Sequence, residues 1–208
     1  MRPYEDEKAE LERRLRQMAE VVETALGWSI EAVVTRAQPL AALVEEVEPR
    51  VDRMERDTDD FATRLIAEYQ PEEAELRHLA QTIKVTGELE RMADHAVSIA
   101  GHAYSLMEAP ELENKPDLER LGGLVKTMVH RSLDSFLRRD PVAAEQVLRT
   151  EEAINALRDE IVEELVALMQ ADATRIRQAL DLILVARKLE RLADHATNIA
   201  EDVRGMAS

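Results

Sequence analysis

Glu48-x-x-x-Asp52, Glu90-x-x-x-Asp94 and Glu190-x-x-x-Asp194 share one acidic spacing. On a helix that spacing puts both carboxylates on one face, a turn apart. Like charges held so close destabilise each other unless a cation joins them. An all-oxygen donor set suits a hard cation such as Mg²⁺, Mn²⁺, Ca²⁺ or iron. The chemistry on offer is therefore ion binding. Acidic pairs are common in a chain with 43 acidic and 27 basic residues. They gain meaning only if the surrounding elements bring them together.

Those elements read as helices. Long stretches of Ala, Leu, Glu, Arg and Met are broken by only six glycines and seven prolines, and these residue types are strong helix formers. Leu11, Leu15, Met18, Val22 and Leu26 follow the helical period. No stretch alternates apolar and polar, and no Asn-Gly or Asp-Gly hairpin signal occurs. Pro39, Pro71, Pro116 and Pro141 suit first helical turns. Asp140 suits an N-cap, and so does Asp172 or Thr174. The pattern predicts six helices over 4–37, 40–69, 72–107, 117–138, 141–169 and 173–204, with Pro49 kinking the second.

An internal repeat divides them three and three. Leu89-Glu-Arg-Met-Ala-Asp-His-Ala-Val-Ser-Ile-Ala100 matches Leu189-Glu-Arg-Leu-Ala-Asp-His-Ala-Thr-Asn-Ile-Ala200 at 9 of 12 positions. Arg77/Arg177, Ile83/Ile183 and Val85/Val185 extend the match upstream. The expected fold is all-α, two pseudo-symmetric antiparallel three-helix bundles. They span 1–108 and 117–208 and are joined by a linker at 109–116.

Folding the second and third helices back at Pro71 sets Asp52 level with Glu90 and Glu48 level with Asp94. A turn near Asp172 sets Glu151 level with Asp194, and Asn155 level with Glu190. Both halves then stack acids from two helices at one height, with an amide substituted once. Glu55 and Asp59 extend the first stripe, and His95 and His195 follow the repeated aspartates as supporting or carboxylate-paired positions. The alternative is that the acids splay into solvent, or that Arg91 and Arg191 neutralise them. Glu75-Leu-Arg-His78 is the only Glu-x-x-His in the chain. A di-iron carboxylate bundle needs two, and His78 reads as a surface residue. Trp28 and the methionines read as core packing, and Gly87 as a point of close helix approach.

Composition removes several function classes. A net charge of −16 argues against nucleic acid and anionic lipid as general ligands. Apolar residues at 45% suffice for a core, whereas 3% aromatics disfavour a base-stacking surface. The absence of cysteine excludes disulfides, thiolate metal sites and cysteine catalysis. No run approaches a membrane span and no leader opens the chain, so the expectation is a soluble cytoplasmic protein.

The motif Leu-Glu-Arg-x-x-Asp-His-Ala-x-x-Ile-Ala, found twice, resembles the PhoU family, as do Tyr69-Gln-Pro71, Leu76-Arg77 and the ending Ala196-Thr-Asn-Ile-Ala-Glu201. The resemblance implies two three-helix bundles carrying acidic metal-binding motifs. The matching positions are Glu48, Asp52, Glu90, Asp94, Glu151, Glu190 and Asp194. Asn155 departs from the usual acid, and Ser98 differs from its repeat mate Asn198. The implied cofactors are divalent or trivalent ions: iron, manganese, magnesium, zinc or calcium. The implied role is a non-enzymatic, metal-binding negative regulator of phosphate transport and phosphate-starvation signalling. It would act as a homodimeric adaptor between the ATPase subunit of a phosphate ABC transporter and a sensor histidine kinase. A carboxylate-cluster phosphohydrolase and a metal-free helical scaffold are the alternatives.

Overall fold

The computed structural model describes residues 4–113 and 115–206, so the chain ends and Asn114 of the linker lie outside the described residues. Those described residues form no strand and eight α-helices, which are α1 (Tyr4–Thr35), α2 (Gln38–Glu45), α3 (Glu48–Tyr69), α4 (Glu73–Met107), α5 (Leu118–Arg138), α6 (Pro141–Leu148), α7 (Glu151–Ala171) and α8 (Ile176–Met206). A 3₁₀ turn, Ala173–Arg175, precedes α8. The all-helical expectation holds, but two of the six expected helices are each broken in two. Pro49 sits in the first turn of α3 and ends the previous helix, which is a full break rather than a kink. The second break, at Arg149 and Thr150, repeats the first without a proline.

Local chemistry explains most other boundaries. The Asp140 carboxylate accepts from the N–H groups of Val142 and Ala143 at 2.9 and 3.0 Å. Asp172 caps the 3₁₀ turn through Thr174 N–H at 2.9 Å. Pro39 and Pro141 lie in first turns, whereas Pro71 and Pro116 stand just before the caps Glu72 and Asp117. Three helices end on left-handed residues without glycine: Arg36 (φ 57°), Gln70 (φ 45°) and Arg139 (φ 52°). Each such residue costs about 1 kcal/mol. Two recover interactions. Arg36 donates to the carbonyls of Ala109 and Pro110, the latter at 3.3 Å, and Arg139 grips Glu75 bidentately at 2.8 and 3.0 Å.

In each half, two long helices flank a broken one: α1 and α4 with α2–α3, and α5 and α8 with α6–α7. The halves meet along α4 against α8 and α1 against α5. One core of buried residues runs through both, from Leu15, Met18 and Leu26 through Leu89 and Met92 to Leu121, Phe136, Leu189 and Leu192. A small separate cluster of Leu11, Ala62, Leu65 and Leu79 closes the far end of the first half. The linker is pinned from both sides, because Gln178 donates to the Pro110 carbonyl at 3.0 Å and Arg36 reaches it from α1. Among the described residues, no helix is long and apolar enough to cross a membrane.

His78 is not a surface residue. It is 3% exposed and stacks on Phe136, near the end of α5 in the other half, with ring centroids 4.9 Å apart. Burial, aided by Arg139, lowers its pKa to about 4. The unfolded chain takes up this proton near pH 6.5, whereas the folded chain resists until about 4. Stability is therefore full above pH 6.5 and declines as the pH falls towards 4, by up to about 3 kcal/mol. Thermal melts between pH 7 and 4 should show this decline flattened in His78→Leu. An unchanged slope would mean that His78 is not its source.

Candidate functional site

The first-half acids lie where α3 packs on α4. Asp52, Glu55 and Asp59 follow one another at helical spacing on α3, and Glu90 and Asp94 face the same region from α4. Asp52, Glu55, Asp59 and Glu90 are half-buried and Asp94 is exposed. Burial pushes the Glu90 carboxyl up, and the charges of Asp94, Glu55 and Asp52 push it further. Burial, then Asp59 and Asp52, raise Glu55 as well. Burial also raises Asp59, although Thr86 Oγ1 donates to its Oδ1 at 2.5 Å. These five acids therefore share one field of negative charge, which Arg56 and Arg91 relieve only in part. Glu48 stays exposed in the first turn of α3 and is not among the charges acting on Glu90.

This is a shared field rather than a closed cage. Among the described residues, no three His, Asp or Glu side chains converge closely enough to hold a metal ion as they stand. The donor set nonetheless suits a hard cation, being all oxygen, partly desolvated and mutually repelling. Removing the repulsion should stabilise the bare protein. Glu55→Gln and Glu90→Gln together should raise Tm at pH 7 in chelator by about 3 °C, at a few tenths to 1 kcal/mol per relieved contact. A Tm that falls would show that these charges are already compensated. Gly87 is not the reason the helices approach here. A Cβ on it would stand 3.7 Å from Glu55 Oε1, an ordinary contact, and its repeat mate is Arg187.

The second half solves the same problem differently. α7 aligns on α3 when shifted by 103 positions, which puts Glu151 on Glu48, Asn155 on Asp52 and Arg158 on Glu55. Arg158 Nη2 lies 3.1 Å from Glu190 Oε1, with the arginine side chain only 19% exposed. Its Nε lies 3.2 Å from Asp159. Glu151 accepts from Thr197 Oγ1 at 3.3 Å, and Asp194 is exposed. An amide and a resident guanidinium thus replace two acids, and the arginine supplies the positive charge. This donor set does not suit a metal ion. Of the neutralising candidates Arg91 and Arg191, Arg91 offsets part of the charge on Glu90 and Glu55 without forming an ion pair to either. Arg91 reaches Glu88 at 3.8 Å, and Arg191 forms no ion pair among the described residues.

The two repeated histidines meet at the seam between halves, their rings 5.3 Å apart. His195 is carboxylate-paired, but across the seam: its Nδ1–H donates to Glu88 Oε2 at 2.6 Å, and Asn198 donates to the same oxygen at 3.3 Å. Burial pushes Glu88 up, yet these two hydrogen bonds outweigh it and hold the carboxyl low. His95 has no such partner. Burial, His195, Lys188 and Arg191 lower it to about 4. A second link joins Asp181 to His102 Nδ1 at 3.0 Å and Ser105 Oγ at 2.7 Å. Glu88, Asp181 and Arg158 escaped the sequence reading. For Arg158 a signal was available in the shifted alignment of α7 on α3.

A fold of two such bundles, each carrying the Leu-Glu-Arg-x-x-Asp-His-Ala motif on its last helix, defines a duplicated helical-bundle protein. The PhoU domain matches residues 15–103 and again 118–203, and the chain belongs to the PhoU family. It is 32% identical to the phosphate-specific transport system accessory protein PhoU homolog of Zymomonas mobilis, over 98% of this chain and 86% of that one. It is 34% identical to the Caulobacter vibrioides homolog of the same name, over 97% and 88%. The crystal structure of PhoU from Pseudomonas aeruginosa superposes with a TM-score of 0.93 at 30% identity, covering 99% of each chain. PhoU from Streptococcus pneumoniae, at 21% identity and a TM-score of 0.90, shares the fold.

Proposed function

We propose that this protein is an accessory regulator of phosphate-specific transport that works by binding rather than by catalysis. The observation that carries the reading is the likeness over nearly the full chain, in both halves, to proteins named for that role. In this reading it sits in the cytoplasm and contacts the ATPase subunit of a phosphate transporter and a sensor histidine kinase. It holds the kinase in its inactive state while phosphate is plentiful. Such action requires a preference for one conformation of the partner, because equal affinity for both would shift nothing. A second copy of the chain completes a homodimer.

The reading includes one hard-cation site, in the first half only. Asp52, Glu55, Glu90 and Asp94 would hold the ion, with Asp59 and Glu48 at its margins. The bound ion would supply the charge compensation that Arg158 gives Glu190. Deleting the gene and following a phosphate-starvation reporter in phosphate-rich medium tests the regulator. Expression should switch on, and the intact chain should restore repression. A reporter that stays silent in the deletion would overturn the reading.

A further inference from the structure

The outer face of α8 carries a row that the bundle itself does not use. Ile176, Leu180 and Leu184 are 47%, 49% and 37% exposed, and they recur every four residues on one line. Arg187 and Arg191 continue that line, with Arg177 and Lys188 flanking it. None of these four cations forms an ion pair among the described residues, although the chain has sixteen more acids than bases. The corresponding first-half residues are Leu76, Arg77, Ala80, Lys84, Gly87, Glu88 and Arg91. Duplication kept the arginines at 77/177 and 91/191, but Leu180, Leu184, Arg187 and Lys188 align with Ala80, Lys84, Gly87 and Glu88, so packing does not demand those four. The row spans about 22 Å from Ile176 to Arg191 at the helical rise, the length of a four-turn helix.

From the apolar row and its unpaired cations we infer that α8 is the docking face for an amphipathic helix of a partner protein, one with an apolar ridge edged by Asp and Glu. Charge complementarity selects the partner. A bilayer fits less well. Half-exposed leucines reach too shallowly to insert, and the surrounding surface of a chain at −16 is repelled by anionic lipid. A second copy fits less well too, because the other exposed large apolar residues, Leu43, Leu76, Val142 and Val166, stand singly on four different helices.

The inference deepens the adaptor reading and rests on it for the existence of a partner. Fluorescence anisotropy on the full chain tests the surface, with a labelled ~18-residue helical peptide, long enough to cover the row, that bears a leucine ridge and glutamate flanks. The acidic peptide should bind and its lysine-flanked twin should not. Leu180→Glu, and Arg187→Glu with Arg191→Glu, should each weaken binding about tenfold. Equal binding of the twins, or variants that bind like the parent, would overturn the inference. A photo-crosslinker at Leu184 in intact cells should join α8 to an acid-edged helical segment of another protein. Products with lipid or with a second copy, or no product, would overturn it. The phosphate reporter separates the two claims. Repression intact in Leu180→Glu sinks the docking face alone, whereas repression intact in the gene deletion sinks the regulator.

Discussion

Replacing Gly122 with leucine is expected to lower Tm by about 10 °C, corresponding to about 3 kcal/mol. Gly122 is buried on α5 where it crosses α1. A Cβ there would stand 2.5 Å from Cδ1 of Ile30, 2.9 Å from Cγ1 and 3.0 Å from Cγ2. Ile30 has little freedom to yield, since a β-branched side chain on a helix has one favoured rotamer and this one is 9% exposed. The clash falls between halves, so the damage is to their docking as well as to one helix. Gly123 is the internal control. A Cβ on it meets nothing within 4 Å, and Gly123→Ala should raise stability by about 0.5–1 kcal/mol through helix propensity. Equal loss in both variants would attribute the effect to helix backbone and not to the crossing.

Arg158→Leu should cost about 2 kcal/mol and about 6 °C in Tm, because it strands the Glu190 carboxylate beside a packed helix. A more informative variant combines Arg158→Glu with Asn155→Asp. It gives the second half the acids of the first, at the same positions, and removes its resident cation. In chelator the double variant should melt below the parent. Millimolar Mn²⁺ should recover most of the loss, and the increment should exceed any that Mn²⁺ gives the parent. Melting at the parent's temperature in chelator would show that Arg158 does not compensate these acids.

The sequence made some of this plain and concealed the rest for physical reasons. The last helices of the two halves repeat at an offset of 100, and the buried positions they share report the duplication directly. Helical period, proline and cap residues locate the ends of the six expected helices to within a few residues, but not the four ends at the two internal breaks. The break between α6 and α7 is silent because Glu152 stands where the first half has Pro49. Arg158 was hidden because the middle helices repeat at 103 rather than 100, so a single offset misaligns them by most of a turn. Hairpin reasoning gives heights within a half. It placed Asp52 and Glu90 in one field, but it also placed Glu48 there, and Glu48 stays in solvent. It gives nothing about how the halves dock. His78 in contact with Phe136 and the Glu88–His195 pair depend on that docking. Glu88 could not be inferred from the repeat, since its mate is Lys188.

The central claim is that the halves meet one electrostatic demand in two ways, a bound ion in the first and Arg158 in the second. Calorimetric titration of the metal-free chain with Mn²⁺, alongside elemental analysis, tests it most directly. The parent should take up the ion, Asp52→Asn with Glu90→Gln should lose that uptake, and Glu151→Gln with Asp194→Asn should retain it. No uptake by the parent, or loss in the second-half variant, would contradict the account.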